Sequence, residues 1–290
     1  MSIGPEWIDV GTANQYREHL EAVAVLFEAV FQRPYLPLLW NQFYLENPYG
    51  DPLVALAYSG STLVAHQALI PQVATNGNKT VHYHLSLSTM VHPAHRSLPV
   101  FLELFKLVHR AATERASAFV LGFPNANLYM PLRRCFAYQT LIESPLCNWV
   151  PPQADCAILS MNDNLSCAQA GRFAPPATVE YWAWRTKLNH ARACTVNGRL
   201  QAVYKLLDGG ILNLLHTVVA DPATARMDLA GLAAAEQCCG VRLTERHAEL
   251  LGLARAELRD HEGYCLRMLA RPLCTSVQEM DFNLLLCDIF

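Results

Sequence analysis

Between residues 80 and 108 the spacing of apolar residues changes from the period of a strand to that of a helix. Apolar residues alternate with polar ones from Val81 to Leu87, which is typical of a β-strand with one buried face. From Phe101 to Val108 they recur at spacings of three, four and seven, as on the buried face of an α-helix. The sequence therefore predicts a strand that leads directly into a helix.

The junction between this strand and this helix is suited to an anion. Ser97 occupies the position of a helix N-cap, and Pro99 is tolerated in a first turn, where an N–H has no partner within the helix. The first amides of a helix and the positive end of its dipole favour a negatively charged group such as phosphate. The alternative is an ordinary junction that binds nothing.

The composition is that of a globular protein. The 290 residues suffice for two domains, and a content of 52% hydrophobic and 16% charged residues indicates an apolar surface or an oligomer interface, for example that of a homodimer. A net charge of -3 without a basic stripe argues against nucleic acid as a partner. Because no apolar stretch of about 18 residues and no signal peptide is present, we expect no membrane partner and a cytoplasmic location.

The ten cysteines and eleven histidines show no grouping that suggests a metal site. The cysteines form no Cys-x-x-Cys pair and no His/Cys cluster at the spacing of zinc ligands. We expect reduced, mostly buried thiols and no metal.

The predicted helices and strands indicate an α/β (α+β) fold with mixed central sheets flanked by helices. Helices at 16–31 and 38–44 precede three strand-like runs of an antiparallel meander, a helix at 98–115, and a strand, a short helix and a strand. We predict a first domain at 1–150, a Pro-rich connector at 151–178, and a second domain at 179–290 that loosely repeats the first.

The first domain resembles the Gcn5-related N-acetyltransferase (GNAT) superfamily. The resemblance is carried by "VHPAHRSLPVF" at 91–101 and "FVLGFPNANLYMPLRRCFAY" at 119–138. In that family the turn reads Arg or Gln, two residues, Gly, any residue, Gly or Ala, and its amides hold the pyrophosphate of acetyl-CoA. Arg96 matches the opening position, whereas Pro99 and Phe101 replace the two glycines.

This departure from the family pattern changes the donors available to a phosphate. Pro99 has no N–H, which leaves the amides of Leu98, Val100 and Phe101 and the hydroxyl of Ser97. Weakened or altered binding of the acetyl-CoA cofactor is therefore one expectation.

A narrower resemblance, to two-domain bacterial N-acetyltransferases of nucleotide-linked amino sugars, spans nearly the whole chain. It rests on the order and spacing of "WNQFYLENPYG" (40–50), "VHPAHR" (91–96), "GFPN" (122–125), "WAWR" (182–185) and "MDFNLLLCDIF" (280–290). It implies tandem GNAT-like domains, the second degenerate, and acetyl transfer from acetyl-CoA to an amino group of a nucleotide-linked deoxyamino sugar in surface polysaccharide biosynthesis. The alternatives are a non-catalytic scaffold or an acyltransferase with another acyl donor.

The resemblance also implies how acetyl-CoA would be held. A backbone amide of Met90 or Val91 would face the acetyl carbonyl as its oxygen becomes negatively charged. Arg96 would neutralise phosphate charge, or be an ordinary surface arginine. Asn125 and Asn127 would contact the pantetheine arm, or form Asx turns.

Proton transfer suggests further candidates. The sugar amine has to be uncharged, so His84, with His82 as the second choice, is predicted as the general base, although a water chain would also serve. In this family a tyrosine usually protonates the leaving thiolate, and Tyr129 or Tyr138 would take that role unless they are packed aromatics.

The second domain has no phosphate-binding turn in its sequence. Trp182 and Trp184 are predicted to line the pocket for the sugar nucleotide, and Arg185 to face its phosphate. The alternative is that these tryptophans belong to a core.

Overall fold

The computed structural model describes residues 5–75, 79–161, 174–176 and 178–273. The described residues divide into two compact units, one containing 5–141 and 268–273 and the other 142–267. The predicted α/β class, with mixed sheets flanked by helices, is confirmed. The unit boundary falls at residue 141, within a strand, whereas the sequence predicted it at 150. The first unit also includes a segment from late in the chain, which no sequence pattern indicated.

The first unit contains five strands and five helices before residue 137. They are β1 Glu6–Val10, α1 Ala13–Arg17, α2 Leu20–Phe31, α3 Pro37–Trp40, β2 Leu53–Ser59, β3 Thr62–Thr75, β4 Thr80–Val91, α4 Leu98–Glu114, β5 Phe119–Gly122 and α5 Ala126–Phe136. A turn of π-helix, Asn41–Leu45, continues α3, and a 3₁₀ turn, Pro93–His95, precedes α4.

The sheet of the first unit has the order β1-β2-β3-β4-β5, and Leu269–Pro272 pair antiparallel with β5 at its edge. The first four strands are antiparallel to one another, which confirms the predicted meander, while β4 and β5 are parallel.

Helix α4 confirms the predicted amphipathic helix almost to the residue. Leu104, Phe105, Val108 and Ala112 are buried in one cluster with β2, β3 and β5 residues. Burial of a large apolar side chain contributes roughly 1.5–3 kcal/mol. The packing therefore fixes α4 on the sheet and fixes where its N-terminus lies.

The second unit contains most of β6 Gln139–Trp149 and the elements that follow it. They are β7 Leu159–Met161, α6 Val179–Asn189, β8 Arg192–Val196, β9 Leu200–Leu207, β10 Ile211–Val219, α7 Ala225–Ala235, β11 Gly240–Thr244, α8 Glu245–Leu250 and β12 Leu258–Pro272. The last residues of β12, from Met268 onward, belong to the first unit. Its sheet has the order β6-β11-β10-β9-β8-β7, and β12 is the neighbour of β6.

The runs at 200–207 and 211–219 form strands β9 and β10, and α7 follows them in the chain. Part of the predicted connector is strand β7, while 162–173 and 177 lie outside the described residues. The motif at 280–290 also lies outside them.

Candidate active site

A gap opens in the first unit where β4 and β5 stop pairing. The two parallel strands are joined through His84–Val120, Leu85–Leu121 and Ser86–Gly122. β4 continues to Val91, whereas the chain leaves β5 after Gly122 and forms α5. Among the described residues, no strand pairs with the end of β4 on the side of β5, so its backbone groups are open to a ligand there.

β4 carries a bulge beside this gap. Ser88 and Thr89 together lie opposite the single residue Gln67 of β3, and Ser88 has a φ of 52°. A left-handed conformation at a residue other than glycine costs about 1–3 kcal/mol and persists only where the surroundings hold it. Bulges of this kind re-aim the backbone next to functional sites.

A chain of buried hydrogen bonds holds the carbonyl of Ser88. His66 Nδ1 lies 2.7 Å from the Ser88 carbonyl oxygen, His66 Nε2 lies 2.8 Å from Tyr16 Oη, and Trp40 Nε1 lies 2.9 Å from Tyr16 Oη. A carbonyl only accepts, so His66 carries its proton on Nδ1 and accepts from Tyr16 at Nε2. Burial lowers the pKa of His66 to about 4, which keeps this neutral tautomer in place.

The side chain of Ser88 is held as well. Tyr44 donates to Ser88 Oγ over 2.6 Å, and the rings of Tyr44 and Trp40 stack in parallel with centroids 4.6 Å apart. Tyr16, Trp40 and Tyr44 come from α1, α3 and the π-helical turn, in that order. The helical segments between β1 and β2 thus hold the bulge in place.

The fixed carbonyl of Ser88 determines where the next amide points. In a trans peptide the N–H is antiparallel to the C=O, so the Thr89 N–H points away from the His66 ring, which belongs to β3. We therefore expect the Thr89 N–H to face the gap, on the other side of β4 from β3. The His92 N–H donates to Val64 of β3 over 2.8 Å. By alternation, the Met90 N–H also faces β3 and the Val91 N–H faces the gap.

Of the two predicted backbone donors, the geometry therefore favours the amide of Val91. The amide of Met90 faces β3 and does not face a ligand in the gap. The geometry adds Thr89, which the sequence analysis did not consider because the bulge has no signature in the sequence.

The start of α4 supplies amides next to the gap. Ser97 is the N-cap, as predicted, and its side chain makes no capping bond. The Phe101 N–H donates to the Ser97 carbonyl over 3.2 Å, so Phe101 is already engaged and its predicted role is corrected. The amides of Leu98 and Val100 remain available to a ligand, since the first turn of a helix has no internal acceptors for them. The exposed Arg96 donates from Nε to the Val91 carbonyl over 3.3 Å.

Asn125 and Asn127 start α5 across the gap. Asn125 Oδ1 accepts from the amides of Asn127 and Leu128, both over 3.1 Å, so Asn125 is a helix N-cap. This corresponds to the Asx-turn alternative for Asn125, while the Asn127 side chain is exposed.

The structure does not bring His84 or His82 to the bulge. His84 lies on the paired part of β4, four residues before Ser88, which corresponds to roughly 13 Å along a strand. It is buried, with Nδ1 2.9 Å from Ser117 Oγ. Burial, followed by nearby Arg115 and His82, lowers the pKa of His84 to about 4. His82 is exposed and lies further along the strand. The predicted general base is corrected on these grounds.

The two tyrosines predicted as proton donors are both engaged. Tyr129 Oη lies 3.1 Å from Thr140 Oγ1, and Arg133 lies over its ring at 5.3 Å. Tyr138 is buried in the core, and its hydroxyl lies 2.9 Å from His109 Nε2. Burial raises the pKa of Tyr138. Tyr138 is thus a packed aromatic, as the alternative stated.

The candidates from the second domain lie on α6. Trp182 and Arg185 are fully buried, and Trp182 stacks on His216 with centroids 5.6 Å apart. Trp184 is half-buried, with Arg185 5.4 Å from its ring centroid. The burial of Trp182 corresponds to the alternative of a tryptophan in a core rather than to a pocket wall.

The second unit repeats the split sheet without the phosphate turn. β10 and β11 pair in parallel over three residues, and β10 has a bulge between Leu214 and His216. Before α7, Asp221 accepts from the Ala223 amide over 3.1 Å and from Thr224 Oγ1. A carboxylate already occupies the helix start, where it would repel a phosphate.

Among the described residues, no helix combines the length and apolarity that a membrane crossing requires, and no group of His, Cys, Asp and Glu is placed to hold a metal.

The fold is similar to that of solved structures described as GCN5-related N-acetyltransferases. The chain is similar to a probable N-acyltransferase from Enterococcus faecalis (TM-score 0.67, 11% identity, 94% of this chain and 73% of that one). It is also similar to GCN5-related N-acetyltransferases from Anabaena variabilis (0.65, 12%, 92% and 73%) and Kribbella flavida (0.64, 15%, 94% and 73%). No family model and no curated protein matches the chain. At these identities the likeness shows the fold alone.

Sequence reasoning missed the buried chain of Tyr16, Trp40, Tyr44 and His66. Trp40 and Tyr44 lie in the quoted segment "WNQFYLENPYG", but their hydrogen-bond partners Tyr16 and Ser88 are 24 and 44 residues away in sequence, and His66 is 50 residues from Tyr16. No local spacing could have joined them.

Proposed function

We propose that this chain is an N-acetyltransferase that uses acetyl-CoA, with its active site at the gap between β4 and β5. The observation that carries the proposal is the strained bulge at Ser88, which a buried hydrogen-bond chain holds beside the gap. This arrangement supports a Thr89 amide that faces the gap. A scaffold protein would have no need to maintain this strain, which favours the enzyme over the non-catalytic alternative.

The chain offers two sets of donors for the two ends of the donor substrate. Acetyl-CoA would supply the acetyl group as a thioester. The amides of Thr89 and Val91 would hold the carbonyl oxygen as an amine attacks and negative charge develops on it. The amides of Leu98 and Val100, the Ser97 hydroxyl and Arg96 would hold the pyrophosphate. Because Pro99 occupies the second position of the helix, α4 begins normally without the family's glycines.

The acceptor proposed is the amine of a nucleotide-linked deoxyamino sugar, within surface polysaccharide biosynthesis. Support comes from the resemblance of the quoted segments, four of which lie among the described residues. A chain of water molecules would take the proton of the sugar amine, since neither His82 nor His84 lies at the gap.

The experiment has two arms. Calorimetry with CoA tests the donor site, and thiol release in the presence of acetyl-CoA and amino sugars linked to thymidine or uridine diphosphate tests turnover. We expect both to be positive, and Arg96→Ala to weaken CoA binding, with the exposed Arg134→Ala as matched control.

Failure of CoA to bind would refute the proposal that the chain is an acetyl-CoA-dependent enzyme. Binding without turnover on any amine would favour the scaffold, and thiol release with a longer acyl-CoA alone would replace acetyl as the donor group.

A further inference from the structure

A cleft of about 640 Å³ lies in the first unit between the side of α4, the end of α5 and the end of β12. Its described lining residues are Leu102, Lys106, His109, Arg110, Thr113, Cys135, Phe136 and Arg271. They lie along α4 beyond its first turn and at the C-terminal end of α5. The cleft therefore shares no residue with the gap and the phosphate-facing amides described above.

The described lining residues carry three cations and no carboxylate. Lys106 is paired with Glu103 at 3.5 Å, and Arg110 is paired with Asp9 at 3.0 Å and with Glu114 at 4.0 Å; none of these carboxylates belongs to the described cleft lining. All five of these side chains are largely exposed, and such pairs contribute only about 0–1 kcal/mol each. Both cations can therefore turn toward an anion in the cleft at small cost.

Arg271 is the half-buried cation of the cleft, and its NH1 donates to His109 Nδ1. No ion pair involving Arg271 occurs within the described part of the chain. A guanidinium only donates, so His109 accepts at Nδ1 and donates from Nε2 to Tyr138 Oη, 2.9 Å away. Both ring nitrogens of His109 are thereby used, and the ring remains neutral.

Among the described residues, this guanidinium is partly withdrawn from water, faces a neutral ring and has no opposite charge beside it. Partial burial of a charge is unfavourable unless an opposite charge accompanies it. Arg271 also offers its remaining N–H groups in a planar fork that matches phosphate oxygens. Leu102 and Phe136 supply large apolar side chains to the same described lining.

We propose that this cleft binds a small phosphate monoester with an apolar body. Arg271, Lys106 and Arg110 hold the phosphate dianion, and Leu102 and Phe136 pack against the apolar part. The volume is within the range of small-molecule sites, roughly 300–1,000 Å³. The site is separate from acyl transfer and does not depend on it.

Calorimetry of the full chain with phenyl phosphate tests the proposal, with phenol as the neutral control ligand. We expect saturable binding of phenyl phosphate that weakens with added NaCl, and none of phenol. Arg271→Gln removes the charge and is expected to lower the affinity at least about tenfold. Lys106→Gln, at an exposed position, should weaken binding without affecting the fold. Arg134→Gln, on the exposed part of α5 and outside the cleft, should leave binding unchanged.

Several results would overturn the proposal. They are no saturable binding, equal binding of phenol, or equal losses with the cleft variants and Arg134→Gln. Competition between phenyl phosphate and CoA would also overturn it, because the cleft would then be an extension of the donor site. If Arg271→Gln failed to fold, as circular dichroism would show, Lys106→Gln and the salt dependence would decide.

Discussion

Five buried histidines make this protein sensitive to mild acid. Burial lowers the pKa of each ring, with added repulsion from neighbouring cationic groups at three of them, to about 4 or about 3 in the following residues: His66, His84, His109, His216 and His247. In the unfolded chain the same rings titrate near 6.5. The unfolded state therefore takes up protons at a pH where the folded state does not.

The direction and size of the effect follow from this difference. Because each folded pKa is below the unfolded one, stability is full above about pH 6.5 and is lost as the pH falls toward 4. Between pH 7 and pH 5 we expect each ring to remove about 2 kcal/mol from the free energy of unfolding, which is on the order of 10 kcal/mol for the five together. This is comparable with the whole stability of an ordinary domain, about 5–15 kcal/mol.

Urea unfolding at a series of pH values, followed by circular dichroism, measures this loss. His84→Gln should make the decline between pH 7 and 5 shallower by about 2 kcal/mol. His95→Gln replaces an exposed ring and should leave the slope unchanged. A free energy of unfolding that stays within about 1 kcal/mol over this range would refute the assignment of neutral buried rings.

Three further predictions concern the site and the second unit. His66→Ala should lower kcat about 10²–10³-fold, the loss typical of one oxyanion donor, with little change in CoA affinity; stopped-flow thiol release measures it. Pro99→Ala restores an amide at the start of α4 and should tighten CoA binding about tenfold by calorimetry. Asp228 is buried and accepts from Arg199 and Asn197, both over 2.8 Å, so Asp228→Ala should cost about 1–3 kcal/mol in urea unfolding, since Asn197 loses its acceptor while the exposed Arg199 keeps its contact with water.

Each of these has its own control. Tyr58→Phe removes a half-buried hydroxyl away from Ser88 and should leave kcat intact. Leu98→Ala changes the first turn of α4 without adding an amide, so equal tightening by Leu98→Ala and Pro99→Ala would contradict the donor argument. Asp221→Ala removes a half-buried acid that accepts hydrogen bonds at the start of the same helix and should cost less than Asp228→Ala.

The local elements of the first unit were predictable because their apolar spacing is regular. The helix at 98–115 and the meander at 53–91 each bury one face, and a buried face imposes a period of 3.6 or 2 on the sequence. The apolar spacing predicts a single helix at 16–31, whereas the structure has two helices, α1 and α2, separated at residues 18–19. Apolar period alone does not detect such a short break.

The candidate site was predictable only in outline. The strand-to-helix junction identified Val91 and Leu98, but the choice between Met90 and Val91 depends on the bulge at Ser88, which arises from contacts of β4 with β3 and three helices. His84 was chosen for its ordinary pKa and its place on β4. The structure argues against His84 as the general base because the residue is buried and lies on the part of β4 that pairs with β5. Neither property can be read from a single sequence.

The late segment Leu269–Pro272, paired with β5, has a consequence for synthesis of the protein. When only the first 150 residues have emerged from the ribosome, the β5 edge of their sheet is unpaired. Its N–H and C=O groups can then pair with any other extended chain. The amino-terminal half must therefore wait for more than a hundred further residues before its sheet is closed. Expression of that half alone should yield aggregates, and chaperone demand during translation should be high.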